Sequence, residues 1–342
     1  MLEPNEPPDV SVLLPVYNGE RYLAGALRSI LLQTFPRYEL IVVDDGSTDD
    51  TGGILKSHSD SRIRVVRHAR NLGLVAALNT GLAASRGRFI ARMDVDDISL
   101  PMRLERQVAF LSRNSHVGAC GSWFRASDGH KSFVVRTPVS PEEVAAHLFF
   151  YCPIAHPTVM MRRDLIERHG LRYDPAALHA EDYDLWTKMA ALTSIANVPE
   201  VLLDYRIHAD QVSTASADAQ RVTTRRIRSA QLRRLLSHPS LEEETLHLDL
   251  CEARDRFGLD RVLLGRGWLD RLQDANRSAG LFPPAAFGSA LAHVWFVLCK
   301  AQAPAIGPRL LPTYLSRFYW GRGAALRRCA RVAWSSCAAG TQ

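Results

Sequence analysis

Three carboxylates within four residues, Asp94, Asp96 and Asp97, form the densest chemical group in the sequence. They follow a short apolar run, Phe89 to Met93, and stand just before Pro101. Acids this close repel one another. A hard divalent cation relieves that repulsion, since Mg²⁺ or Mn²⁺ takes oxygen ligands from one or two carboxylates and from phosphates. Taken alone, the triplet reads first as a solvated acidic turn or as caps for a helix opened by Pro101, and its place in the rest of the chain reverses that. A second acidic group, Glu181, Asp182 and Asp184, leads into Leu185-Trp186. Acids suit the positive end of a helix dipole. A partly buried carboxylate beside another acid is also a good general base, because its pKa rises toward neutrality. Asp44-Asp45, His156 and His208 complete the set of candidate reactive groups.

Something must bring these groups together. Val10 to Val16, Glu39 to Val43, Ile63 to Val66 and Phe89 to Met93 are short apolar runs with the character of buried strands. Between them come an amphipathic helix with Leu23, Leu27, Ile30 and Leu31, a helix after Ser47-Thr48, which can cap it, and a helix from about Leu74 to Ser85. Alternating strands and helices give an α/β fold with a mostly parallel sheet covered on both faces. Ligands of such sheets bind beyond the carboxyl ends of the strands. Tyr17, Asp44 with Asp45, Asn71 and the acidic triplet all stand there, so one site explains four turns. No Gly-x-Gly-x-x-Gly follows the first strand, and no Gly-Lys-Ser/Thr loop occurs, so phosphates must be held by other means.

Composition narrows the classes further. The 342 residues are 46% hydrophobic and 23% charged, ordinary for a globular chain. Six scattered cysteines without a Cys-x-x-Cys pair suit a reducing compartment and no structural zinc. The acidic, proline-rich start is unlike a signal peptide, and no apolar run reaches the roughly 18 residues of a membrane span. Net charge is +6, unevenly spread: residues 215–342 hold 19 Lys/Arg against 10 Asp/Glu, and nothing acidic follows Asp274. The two parts are expected to do different jobs.

Several segments together resemble the family 2 glycosyltransferases, which have the GT-A fold. They are Val12-Leu-Leu-Pro-Val-Tyr-Asn-Gly-Glu20, Ile41-Val-Val-Asp-Asp-Gly-Ser-Thr-Asp49, Asn71-Leu-Gly73 with Asn79, Met93-Asp-Val-Asp-Asp97, Ala155-His-Pro157, Glu181-Asp-Tyr-Asp-Leu-Trp186 and Tyr205-Arg-Ile-His208. Each is weak alone, but their order and spacing are specific. The resemblance covers roughly residues 10 to 214 and implies an inverting transferase of the bacterial polysaccharide or O-antigen type.

The resemblance also implies roles. Pro15, Val16, Tyr17, Glu20, Asp44 and Asp45 would bind the base and ribose of a nucleotide sugar. A carboxylate at Asp45 can accept from a uracil or guanine ring N–H. Asn71, Gly73, Asn79, Asp94, Val95 and His156 would line the rest of the donor site. Asp94, Asp96 and His208 would hold Mg²⁺ or Mn²⁺, with the division of labour among Asp94, Asp96 and Asp97 left open. Asp182 would be the general base, oriented by Glu181. The donor would be a nucleotide-diphosphate sugar, UDP-linked by preference, and the acceptor a hydroxyl of a glycan or lipid-linked molecule. The processive motif Gln-x-x-Arg-Trp is missing, so transfer of one sugar is expected. A non-catalytic nucleotide-sugar or glycan-binding protein is the alternative.

On this reading residues 1–214 are the GT-A catalytic domain and 215–342 a basic helical extension. Helices are expected over 223–236, 241–257, 260–275, 285–301 and 311–332. The basic aromatic stretch 277–334 reads either as a contact for an anionic membrane or as a lid with arginines facing solvent. No nucleic-acid motif accompanies it. The expected location is the cytoplasm, peripheral to the inner face of the plasma membrane.

Overall fold

The computed structural model describes residues 7–208, 217–253 and 258–315. The chain divides into two compact units: residues 1–144 with 152–223, and 145–151 with 224–342. This division runs past the boundary after residue 214 expected from composition, and it assigns 145–151 to the second unit.

The first unit is built on one mixed sheet. Strands β1 (Val10–Val16), β2 (Tyr38–Asp44), β3 (Ile63–Arg67) and β4 (Phe89–Arg92) are mutually parallel, in the order β3-β2-β1-β4. The sheet continues through β8 (Met160–Arg162), antiparallel to β4, then β6 (Val117–Ser127), β9 (Ser194–Arg206) and β5 (Ile98–Ser99), with β7 (Ser132–Val135) on β6. Every residue of β1 and β2 is buried, as a two-sided parallel strand requires. Pro15 is tolerated inside β1 because β4 pairs only with Val10 to Leu13, so no neighbour there needs its missing N–H.

Helices α1 (Leu23–Leu31), α2 (Thr51–Ser57), α3 (Leu74–Ala84) and α4 (Arg103–Arg113) connect or follow these strands, and α5 (Pro141–Leu148), α6 (Arg163–Arg168) and α7 (Glu181–Ala190) come later in the chain. The strand-helix alternation matches expectation, and the helix starts refine it. Ser47 and Thr48 do not cap α2; their atoms bond Asn18, and Asp49 Oδ1 accepts from Thr51 N at 3.0 Å. Pro101 does not open α4 either; the first helical residue is Arg103, and Gln33 Oε1 accepts from Leu104 N at 3.0 Å. Over 117–135 the chain forms β6, a turn and the short β7, and β9 pairs along β6 with bulges.

The second unit is helical: the later part of α8 (Ala217–Leu235), then α9 (Leu241–Glu252), α10 (Leu259–Ala279), α11 (Pro284–Ile306) and α12 (Leu310–Leu315). Its core gathers Phe149, Phe150, Phe282, Phe287, Trp268 and Trp295. A capping box at Ser240 and Glu243 starts α9, and a left-handed Ala253 (φ 50°) ends it before the expected 257. Contrary to the expectation of no span, the stretch Pro284–Leu315 is long and apolar enough to cross a bilayer by length and composition; half of the tested window is buried inside the unit, as in a core helix. Most of the expected last helix, with Arg317, Arg322, Arg327, Arg328 and Arg331, lies outside the described residues.

Candidate functional site

The first two turns beyond the carboxyl edge are laced together. Asn18 sits at φ 50° and its Oδ1 accepts from Thr48 N at 2.9 Å. Gly19 N donates to Thr51 Oγ1, Glu20 N to Asp49 Oδ2, and Asp50 N back to Glu20 Oε2, each at 2.9 Å. A Cβ on Gly19 would stand 2.4 Å from Val16 and 3.2 Å from Val95, so glycine is what lets this turn approach the acidic triplet. Tyr17 is left exposed at the surface of the turn.

Asp44 and Asp45 are both buried. Asp44 Oδ1 accepts from Ser47 N at 2.9 Å, and the other oxygen lies 3.1 Å from the Arg67 guanidinium. Asp45 holds the turn after β3. It accepts from Leu72 N at 2.9 Å and Gly73 N at 2.8 Å, and His68 Nδ1 lies 2.6 Å away. Asn71 Oδ1 takes the same Gly73 N–H. Gly73 has φ +92°, a conformation other residues rarely adopt. Asn79, one turn along α3, clasps the Tyr173 backbone at both ends of its amide, at 2.8 and 3.0 Å. Its link to the site runs through Tyr173.

At the end of β4 the three acids converge, with ligand-type oxygens of Asp94, Asp96 and Asp97 within 4.8 Å of one another. Asp94 is bonded by the fully buried Arg92 guanidinium. Asp96 Oδ2 lies 2.9 Å from His208 Nε2. Asp97 Oδ1 accepts from Arg206 N at 3.0 Å, while its Oδ2 is buried without a hydrogen-bond partner among the described residues. Burial, then the charges of Asp94 and Asp96, holds the Asp97 carboxyl well above its usual pKa; burial also raises that of Asp94, against the pull of Arg92. An orphaned buried oxygen among three repelling carboxylates fits a hard divalent cation. His208 stands where a nitrogen ligand could join.

The other acidic group opens α7 (Glu181–Ala190). Asp182 is half-buried and accepts from Tyr183 N at 2.7 Å. That bond and Arg92 favour its charged form, but burial and then Glu181 win, and its pKa is pushed up to about 7. Burial also raises Glu181. His156 is buried, with Nε2 2.9 Å from the Tyr173 hydroxyl and its ring edge-on to Trp186. Burial, then Arg92, keeps its pKa well below the usual value, so the imidazole is neutral.

Arg92 is the residue that reading the sequence missed. Its charge acts on Asp94, Glu181, Asp182, Tyr173 and His156 together. Beneath it Arg103, also buried, donates to the Arg92 carbonyl at 2.7 Å, and burial lowers its pKa to about 10. The signal was present as a lone basic residue inside the buried run Phe89 to Met93. Tyr173 and His68 left no such signal.

A mixed sheet of this topology, with an Asp-x-Asp at the end of β4 and an acidic helix start at α7, is that of a GT-A glycosyltransferase. The family described as Glycosyl transferase family 2 matches residues 11–170. The chain is 34% identical over 233 residues to an uncharacterized glycosyltransferase of Haemophilus influenzae, covering 65% of this chain and 72% of that protein. It is 30% identical over 208 residues to the Escherichia coli UDP-Glc:alpha-D-GlcNAc-diphosphoundecaprenol beta-1,3-glucosyltransferase WfgD, covering 60% and 79%. Two solved structures share the fold. One is S. aureus TarS 1–349 in complex with UDP-GlcNAc, with TM-score 0.55 and 19% identity, covering 96% of this chain and 90% of that one. The other is the mannosyltransferase PcManGT of Pyrobaculum calidifontis in complex with GDP-Man and Mn²⁺, with TM-score 0.51 and 20% identity, covering 97% and 87%. The chain belongs to glycosyltransferase family 2 and is a glycosyltransferase.

Proposed function

We propose that the protein transfers one sugar, with inversion, from a nucleotide-diphosphate sugar to a hydroxyl of a glycan or lipid-linked acceptor in cell-surface polysaccharide assembly. The observation that carries this is Arg92, which bonds Asp94 and acts electrostatically on Glu181 and Asp182, making one site of two acidic groups. The named activity of WfgD supports a UDP-linked donor and a lipid-linked acceptor. Residues 1–214 are assigned the catalysis and 215–342 a supporting role at an anionic membrane surface on the cytoplasmic side.

In this reading the turns bearing Pro15, Val16, Tyr17, Glu20, Asp44, Asp45, Asn71 and Gly73 hold the nucleotide. Asp94, Asp96 and His208 would hold Mg²⁺ or Mn²⁺, which when bound supplies positive charge to the leaving diphosphate. Asp182 takes the proton of the acceptor hydroxyl. The freed oxygen forms its bond to the anomeric carbon from the face opposite the diphosphate, and the bond to the diphosphate oxygen breaks, leaving an inverted product. A base with a pKa of about 7 combines ionisation at neutral pH with real basicity. Neutral His156, fixed by Tyr173, shapes the donor-sugar side without adding charge.

Asp182→Asn tests the assignment. Transfer should fall by about 10³-fold, in the range typical of general bases, while calorimetry finds UDP-sugar affinity in Mn²⁺ little changed. Transfer at near wild-type rate would remove Asp182 from the role. Donor binding with no turnover by the wild-type protein, across lipid-linked acceptors, would favour a binding protein instead.

A further inference from the structure

The opposite edge of the sheet holds a cleft of about 480 Å³ that the transfer reaction does not use. It is lined by Pro7, Pro8, Asp9, Arg37, Arg86, Arg88, Arg162, Arg163 and Asp164. These residues stand at the amino ends of β1, β2 and β4 and at the end of antiparallel β8, where Phe89 pairs with Arg162. Seven residues of β1 put about 23 Å between this edge and the acidic triplet.

Five arginines face two aspartates here. Three have carboxylate partners: Arg37 with Asp9 at 2.7 Å, Arg86 with Glu39 at 2.9 Å, and Arg163 with Glu167 at 2.5 Å. Arg162 donates to the carbonyls of Val117, Leu111 and Asn114, which are neutral. Arg88 has no carboxylate in ion-pair range among the described residues. Its guanidinium carbon lies 4.9 Å from the centre of the buried Phe89 ring, and that of Arg162 lies 5.6 Å from the same ring. One ring therefore holds two like charges at a cleft; Asp164, which also lines it and partly offsets Arg162, is itself ion-paired with Arg168 at 2.9 Å. Burial, then the charge of Arg88, lowers the pKa of Arg162.

We propose that this cleft binds a phosphate group, with Arg88 and Arg162 as its principal contacts, at a site separate from the donor diphosphate. Guanidinium forks match phosphate oxygens two at a time; a phosphate monoester, as a dianion, neutralises both arginines and a phosphodiester headgroup neutralises one. The volume admits a phosphate ester or the headgroup of an anionic phospholipid.

The test uses the full chain with excess UDP in its donor site and no free divalent metal, which pyrophosphate would chelate. Pyrophosphate is titrated by calorimetry, and co-sedimentation is measured with vesicles of phosphatidylglycerol or of phosphatidylcholine. Arg88→Gln, an exposed change, should weaken binding of the responsive probe by about tenfold, the size of one charge-assisted hydrogen bond. Arg106→Gln, exposed on α4 beside Glu200 and outside the cleft, should leave it unchanged. Binding of pyrophosphate assigns a soluble phosphate ester; binding to phosphatidylglycerol alone assigns a headgroup. The proposal is overturned if neither probe binds, if vesicles bind equally well after Arg88→Gln, or if pyrophosphate binds only when UDP is left out. Should Arg88→Gln lower the melting temperature, Arg88→Lys replaces it: the charge stays, the fork is lost, and affinity should still fall.

Discussion

At the carboxyl ends of β1, β2 and β4 the side chains are Tyr17, Asp44, Asp45, Asp94, Asp96 and Asp97; at the amino ends they are Arg37, Arg86 and Arg88, with Arg162 beside them. Parallel strands explain the separation. Each strand hands the chain to a turn before the next helix at the same edge, so reactive turns accumulate there, while helices finish at the other. Arginines suit helix ends, where carbonyls lack partners. Arg62 reaches Leu31 O at the end of α1 at 3.5 Å, Arg64 reaches Ala84 O at the end of α3 at 3.2 Å, and Arg162 reaches Leu111 O in the last turn of α4 at 2.5 Å. Arg62, Arg64 and Arg162 are thus structural consequences of helix ends, while Arg88 is not. The acidic edge has no such explanation, because Asp94, Asp96 and Asp97 crowd together and Asp94 shares the buried Arg92 with Glu181 and Asp182.

That contrast can be broken by a pair of variants, which carry the largest expected change in stability. Arg92→Met removes the cation shared by Asp94, Glu181 and Asp182. It should cost about 3 kcal/mol in urea unfolding at pH 8, as when one partner of a buried pair is removed. The loss should shrink toward pH 5, because Asp182, with its pKa pushed up to about 7, is protonated there and no longer needs the cation. Arg162→Met removes donors from neutral carbonyls and should cost about 1–2 kcal/mol at both pH values. Equal losses with equal pH dependence would mean that the two edges are held by the same forces.

The next effect is smaller and comes from Asp182 itself. Its folded pKa, about 7, lies above the ordinary Asp value of roughly 3.9. The fold therefore prefers the neutral carboxyl. The stability this contributes is full below about pH 4 and is lost as pH rises through 7. Asp182 keeps some exposure, so the change is discounted to about 2 kcal/mol. Wild-type stability relative to Asp182→Asn should fall by that amount between pH 4 and 8, read from paired denaturation curves. Transfer activity should rise through the same interval, since the base must be ionised to act. A rate already flat at pH 5.5 contradicts the shifted base.

The two edges were unequally legible in the sequence. The acidic turns could be read because period and turn chemistry are local: a buried run, then Asp, places the carboxylate at a strand end without any tertiary knowledge. Asp182 could be placed only by resemblance, because nothing local distinguishes a base from a helix-favoured acid. Arg92 was overlooked inside an apolar run, and Tyr173 gave no pattern at all; what they do depends on residues about 20 to 90 positions away meeting in space. The cap of α4 failed for the same reason, since Gln33 supplies it from 71 residues earlier. At the basic edge, Arg37, Arg86, Arg88 and Arg162 share no local pattern in the sequence; the register of β4 with β8 puts Phe89 beside Arg162.

The smallest expected effect concerns Tyr173, which belongs to the acidic edge but carries no charge. Asn79 fixes its backbone from α3, so Tyr173→Phe should leave the ring where it is. Only the hydroxyl near His156 Nε2 is lost. That leaves a buried imidazole nitrogen short of a partner, a cost of about 1 kcal/mol. The imidazole stays neutral, because burial rather than the hydroxyl is the main reason it is uncharged. Turnover should then drop only a few-fold, with the pH dependence still set by Asp182. A loss beyond about 100-fold, which is general-acid/base scale, would move the His156–Tyr173 pair from shaping the donor pocket to the chemistry itself. The acidic edge would then need two proton-handling groups where one has been assigned.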